Sequence, residues 1–264
     1  MPTPPTRGIR VFRYAVLFDG IDDCAKIEPF TVYGWSEITI QEWIYFYHPK
    51  STSWWSRTGM IGDPWIDYPS TSHFADNRFD YTQLSVRFDT RTPAETKKVY
   101  DYGAFAYRNT WINIARRFTS AREFSVWVNA VRVYYATVPS GEKTILEWNP
   151  DSATRPTRYK RFTLGANVDL GEHLKIAQHS LLIYSRALSE SELIHNMLYP
   201  WDPVRDGLRV WLFAHPDYVK DIDSDGILEW IDLSGNSNHA KLYGAMLVEA
   251  VRTPRRKFIF VRTL

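Results

Sequence analysis

Leu17-Phe18-Asp19-Gly20-Ile21-Asp22-Asp23, followed by Ile38-Thr39-Ile40-Gln41-Glu42-Trp43-Ile44, is the stretch on which the fold turns. The first part ends an apolar run, 11–18, in Asp-Gly and Asp-Asp, residues that reverse a chain by taking φ > 0 or by bonding their own backbone. The second part lies in a run, 37–47, rich in β-branched and aromatic residues, which suit a pleated surface. Both read as strands.

Working outward, short apolar runs broken by turn residues continue along the chain. Segments 81–88, 110–117, 123–129, 131–137, 159–165 and 176–184 read as further strands. In 123–129 the residues Phe124, Val126 and Val128 alternate, as expected of a half-buried strand. One helix interrupts the pattern. Ser189 and Glu192 have capping-box spacing, Leu193, Ile194, Met197 and Leu198 follow at helical spacing, and Pro200 stops the helix near 198. After a hinge at 201–207 come strands at 208–213, 226–233, 240–243 and 257–262. Many close-spaced strands with turn signals predict an all-β, two-sheet antiparallel sandwich with one short helix near 189–198.

Five short stretches, in this order, resemble laminin-G-like domains of the concanavalin-A-like lectin class. They are Phe18-Asp19-Gly20 with the Thr39-Ile40…Trp43 strand, Trp111-Ile-Asn-Ile-Ala115, Phe124-Ser-Val-Trp-Val-Asn129, Phe162-Thr-Leu-Gly165, and Ile183-Tyr184-Ser185-Arg186-Ala187-Leu188-Ser189 with Glu192. The resemblance implies a jelly roll. Ala130 stands where that family carries a turn Gly, so the 123–137 hairpin is expected to use a different turn type. Gly207–Phe213 and Trp230–Ala240 resemble the piece that normally precedes Phe-Asp-Gly, yet here they follow the helix. Residues 1–10 then form an extended arm, 11–200 the sandwich, and 201–264 one of three things. They complete the same sandwich in circularly permuted order, begin a second unit, or complete a neighbouring subunit's sheet.

The chain has 264 residues, 32 basic and 30 acidic, for a net charge of +2, which is no footprint for nucleic acid. The local basic groups Arg155, Arg158, Lys160, Arg161 and Arg252, Arg255, Arg256, Lys257 read as solvated faces. A single cysteine, Cys24, excludes an intrachain disulfide framework. No stretch approaches the roughly 18 apolar residues of a membrane span, and Met1-Pro-Thr-Pro-Pro-Thr6 lacks the apolar core of a secretory signal. The expected location is nonetheless a cell exterior or a virion.

Three regions are candidate sites. Asp221, Asp223, Asp225, the Ile227 carbonyl and Asp232 have the spacing of a Ca²⁺ loop, because alternate short carboxylates around a Gly turn gather hard oxygens. The plain alternative is an Asp-Gly hairpin. Asp19, Asp22 and Asp23 form a second acidic cluster, for which turn chemistry is the rival reading. Trp54, Trp55, Trp65 and Tyr68, interspersed with polar residues, offer flat rings for stacking on a sugar; packing on the sandwich edge is the alternative.

Catalytic signatures are missing. There is no Glu-x-Asp-x-(x)-Glu strand for glycoside hydrolysis, and Glu229 with Asp232 have odd spacing that points them to opposite faces. His-Glu-x-x-His, Gly-x-Ser-x-Gly and phosphate-loop motifs are also absent. The sequence therefore predicts a non-catalytic binding or adhesion module for glycan or a protein surface, with Ca²⁺ assistance. A virion, fibre or surface-layer assembly subunit that self-associates is the first alternative, and a polysaccharide-active enzyme the second.

Overall fold

The computed structural model describes residues 12–47, 56–58, 60–61, 77–80, 83–91, 97–104, 109–147, 149, 151, 160–166, 173–252 and 258–262. In chain order the first strands are β1 (Tyr14–Phe18), β2 (Cys24–Ile27), β3 (Ile38–Phe46), β4 (Ser56–Thr58), β5 (Met60–Ile61) and β6 (Asn77–Asp80). Then come β7 (Gln83–Arg91), β8 (Lys97–Ala104), β9 (Thr110–Phe118), β10 (Glu123–Val128), β11 (Val131–Thr137), β12 (Phe162–Leu164) and β13 (Ile176–Tyr184). Helix α1 (Glu190–Leu198) separates these from β14 (Leu208–Phe213), β15 (Val219–Lys220), β16 (Leu228–Trp230), β17 (Ala240–Tyr243), β18 (Met246–Arg252) and β19 (Phe258–Arg262).

The large sheet runs β11-β10-β9-β3-β13-β1-β18-β19, with β14 also on β13, and it faces the sheet β15-β16-β17-β2-β12-β5. All pairings are antiparallel, and a small β4-β6-β7-β8 sheet adds Val86 to the common core. The sandwich is a two-sheet jelly roll. Its core is built by period-two alternation: Ile38, Ile40, Ile44 and Phe46 of β3 face Trp230, Phe162 and Leu242 of the second sheet.

Strands β14, β17 and β18 pair with β13, β2 and β1 of the same chain. The shared edge of β13 is divided, with β1 against Ile176–Gln178 and β14 against Ser180–Tyr184. His179 sits at the division, where its Nδ1 lies 2.8 Å from the Tyr14 carbonyl and its own carbonyl accepts from Ala214 N. A polar cluster lies inside the sandwich: Glu42 and Arg116, both fully buried, form an ion pair, and Gln178 Nε2 donates to Glu42 at 2.9 Å. A buried pair of this kind is weak evidence for stability, but loss of one partner strands a charge.

The outer face of the large sheet is also covered, which corrects the half-buried reading of 123–129. Ser125 and Trp127 are as buried as Phe124 and Val126, because Trp127 packs with Leu182, Leu193 and Trp211 beneath α1. The 123–137 hairpin is corrected too. Asn129 and Ala130 have φ of 49° and 63°, and Val128 faces Val131, so the two-residue turn keeps positive φ at both central positions despite Ala130. Asn129 compensates by exchanging backbone and side-chain bonds with Asn113. Gly165 meets a stricter demand, since its φ is 74° and a Cβ there would lie 2.2 Å from the Phe18 ring.

Candidate functional site

The Ser189–Glu192 capping box is formed, and Arg186 bonds both Glu192 oxygens, at 2.6 and 3.1 Å, holding that carboxyl down at about 2. The helix so started is pinned to the outer sheet face by β3, where Gln41 Nε2 donates to the Leu193 carbonyl and Trp43 Nε1 to that of Met197. In its last turn the buried Asn196 donates to Tyr184 Oη and accepts from Val204 N, while Tyr184 Oη donates to the Val204 carbonyl. These bonds fix the 199–204 turn, which displays Trp201 at 51% exposure.

Across from that turn, β14 alternates Val210 and Leu212 into the core and Trp211 and Phe213 outward. Trp211 is held on every side. Its backbone N donates to Asp232 Oδ1 at 2.8 Å, its indole N to the Pro200 carbonyl at 3.1 Å, and the Arg205 guanidinium lies 4.2 Å from its ring centre. Trp201, Trp211, Phe213, His215, Tyr218 and Leu233 together line a cleft of about 220 Å³. That is smaller than the roughly 300–1,000 Å³ of drug-sized sites, so it suits one ring of an extended ligand.

The far wall is a 3₁₀ turn, Pro216–Tyr218, capped by His215, whose Nδ1 accepts from Asp217 N. The His215 and Tyr218 rings are 5.5 Å apart. The 201–207 hinge and the 208–213 strand were both legible, but the cleft was not, because its residues come from three separated segments. The available signal was Trp211 and Phe213 at period two beside an exposed Trp in a hinge.

The sequence-predicted sites fare differently. Trp54, Trp55, Trp65 and Tyr68 lie outside the described residues. Asp221, Asp223 and Asp225 do converge, with one carboxylate oxygen each within 4.8 Å of the others. Their hydrogen bonds are those of a tight turn: Gly226 N to Asp221, Asp225 N to Asp223, and Ile227 N to Asp225. Lys241 Nζ reaches Asp223 at 3.4 Å and Asp225 at 3.2 Å, which lowers the Asp225 pKa behind the larger effect of the Ile227 N–H.

Asp232 does not join this set. Its two oxygens accept from Trp211 N, Ser234 N, Ser234 Oγ and Asn238 N, so the carboxylate is spent on the strand and turn that carry the cleft. Asp19, Asp22 and Asp23 also cluster, but Asp19 accepts from Ile21 N and Asp22 N, and Asp23 from Asp19 N. Burial raises the Asp23 pKa. This is the turn chemistry of the rival reading. Glu229 lies 3.7 Å from Lys241 Nζ, whereas Asp232 bonds the backbone N of Trp211.

No protein-family model matches the chain, and no curated protein matches it. Solved structures do match. A candidate carbohydrate-binding protein from Bacteroides ovatus superposes with a TM-score of 0.60 at 13% identity, covering 90% of this chain and 60% of that one. The chain thus spans about 60% of that protein's length. A heptameric SAP-like pentraxin from Limulus polyphemus gives a TM-score of 0.45 at 9% identity, over 72% of this chain and 84% of that one. The CBM40 of Ruminococcus gnavus IT-sialidase gives 0.42 at 14% identity, over 62% and 84%. The last two are too loose to bear on the site. At these identities the likeness is one of fold alone, and the fold is a two-sheet antiparallel jelly-roll sandwich.

Proposed function

We propose that the protein is a non-catalytic saccharide-binding module whose ligand seats in the cleft between Trp201 and the His215–Tyr218 turn. The observation that carries this reading is the half-exposed Trp201 ring beside the rigidly held Trp211, with polar side chains on the opposite wall. An aromatic ring offers a flat apolar face for the C–H side of a sugar, and a pre-fixed one loses little entropy on binding. The description of the Bacteroides ovatus neighbour as a candidate carbohydrate-binding protein agrees with it. A glycan array followed by titration calorimetry tests the proposal. Retention of at least one saccharide is expected, and silence across the array overturns it.

Calcium enters this reading as a competitor of Lys241. The three carboxylates of the 221–225 loop give half of the six to eight oxygens that Ca²⁺ takes. Asp232 is committed elsewhere, and the Lys241 ammonium already supplies the counter-charge. A cation at this loop would have to displace that ammonium, and the cleft does not depend on it.

The laminin-G-like resemblance and a location at a cell exterior or virion remain part of this proposal. The assembly alternative retains one supporting feature: among the described residues β11 pairs in a ladder only with β10, and an edge strand can pair with a strand of a second molecule. Light scattering across a dilution series tests it; a stable monomer overturns it.

A further inference from the structure

The cleft contains two kinds of information beyond its shape: which polar atoms are left over, and what charge surrounds them. His215 Nδ1 is occupied by Asp217, whose backbone N and carboxylate oxygen both lie 3.3 Å from it, so Nε2 is the ring nitrogen left for a ligand. Among the described residues neither His215 Nε2 nor the Tyr218 hydroxyl has a hydrogen-bond partner. Each can bond a ligand hydroxyl as donor or as acceptor, and both side chains line the cleft.

Among the described residues, charged groups on the segments that carry the cleft include Asp202, Arg205 and Asp217. The carboxylates of Asp202 and Asp217 are 71% and 75% exposed. The one guanidinium is already engaged, stacked 4.2 Å from the Trp211 ring centre and 3.5 Å from Asp202. Asp202 and Arg205 cancel as a pair, so Asp217 leaves these rim groups net negative, and an anionic sugar entering here would meet no uncommitted cation among them. Like charges at short range disfavour such a partner. An uncharged ring loses nothing.

Resting on the saccharide reading above, we propose that the cleft selects an uncharged saccharide. One of its hydroxyls bonds His215 Nε2, the Tyr218 hydroxyl bonds a neighbouring group, and Trp201 covers the ring face. His215 thus has two duties: its Nδ1 caps the turn, and its Nε2 reads the ligand.

Calorimetry with neutral hexasaccharides (gluco-, manno- and xylo-) and with acidic ones (oligogalacturonate, sialyllactose, heparin fragments) tests the charge rule. The neutral set is expected to bind; preference for an acidic sugar overturns the proposal while leaving the saccharide reading intact, and no binding by either set removes both. The variant H215N separates the two duties, since Asn is a good cap but has no Nε2. H215N and Tyr218→Phe should each weaken binding about three- to tenfold, the worth of one hydrogen bond, with unchanged melting. Wild-type affinity in H215N overturns the role of His215.

Discussion

Asp232 Oδ1 accepts a hydrogen bond from the backbone N of Trp211 at 2.8 Å, across the gap between the 231–234 turn and strand β14. That one contact makes a residue spaced like a metal ligand into the support of the cleft floor. With Ser234 and Asn238 also donating to it, Asp232 is the hub of four bonds.

Asp232→Ala should therefore cost about 3 kcal/mol of stability, since it leaves buried N–H groups without an acceptor. Urea unfolding measures it. The same substitution should disorder Trp211, seen as a red shift in tryptophan emission, and Asp232→Asn should show about half the loss.

Ala130 sits at φ 63° in a turn that demands the left-handed region. Replacement by Gly removes a penalty of about 1–2 kcal/mol, partly offset by the freer unfolded chain. Ala130→Gly is expected to raise unfolding free energy by about 1 kcal/mol, read from denaturant midpoints, with the fold unchanged.

How much of this was legible beforehand depends on the range of the interaction. The β3 and β13 strands and the capping box follow from local composition and spacing, which the sequence displays directly, while the jelly roll was implied by the laminin-G-like resemblance. Trp127 as a buried residue, Asp232 as a support and the cleft itself depend on α1 lying over the outer face. Only tertiary contacts such as Gln41 to Leu193 decide that. Val131–Thr137 was also legible as a strand, whereas 246–252 was not read as one even though Gly244 and Pro254 bound it.

Burial at the division of the large sheet pushes the His179 pKa down to about 4, against the opposing bond to the Tyr14 carbonyl. Between pH 6.5 and 4 the unfolded chain holds a proton there that the folded chain does not. Stability should fall as pH drops through that window, by up to about 1.4 kcal/mol per pH unit at its steepest. Urea melts at pH 7 and 4.5 check this, and His179→Gln should flatten the difference.

Lys241 and calcium should compete for Asp223 and Asp225. Removing the ammonium in Lys241→Met is expected to raise Ca²⁺ affinity about tenfold, consistent with the removal of a competing charge near the surface. Calorimetric titration with CaCl₂ of chelator-treated protein reads it. Equal affinities in the two proteins would show that Lys241 does not occupy the loop in solution.

The most direct test of the account is calorimetry of the best array ligand against the wild type and Trp201→Ala. Trp201 is half exposed and its ring meets that of Tyr199 edge-on at 5.8 Å on the surface turn, so the variant should melt close to the wild type. If the cleft is the binding site, affinity should fall by about 2 kcal/mol, or roughly thirtyfold, as for an aromatic anchor at the centre of an interface. An unchanged affinity would place the ligand elsewhere on the sandwich and contradict the account.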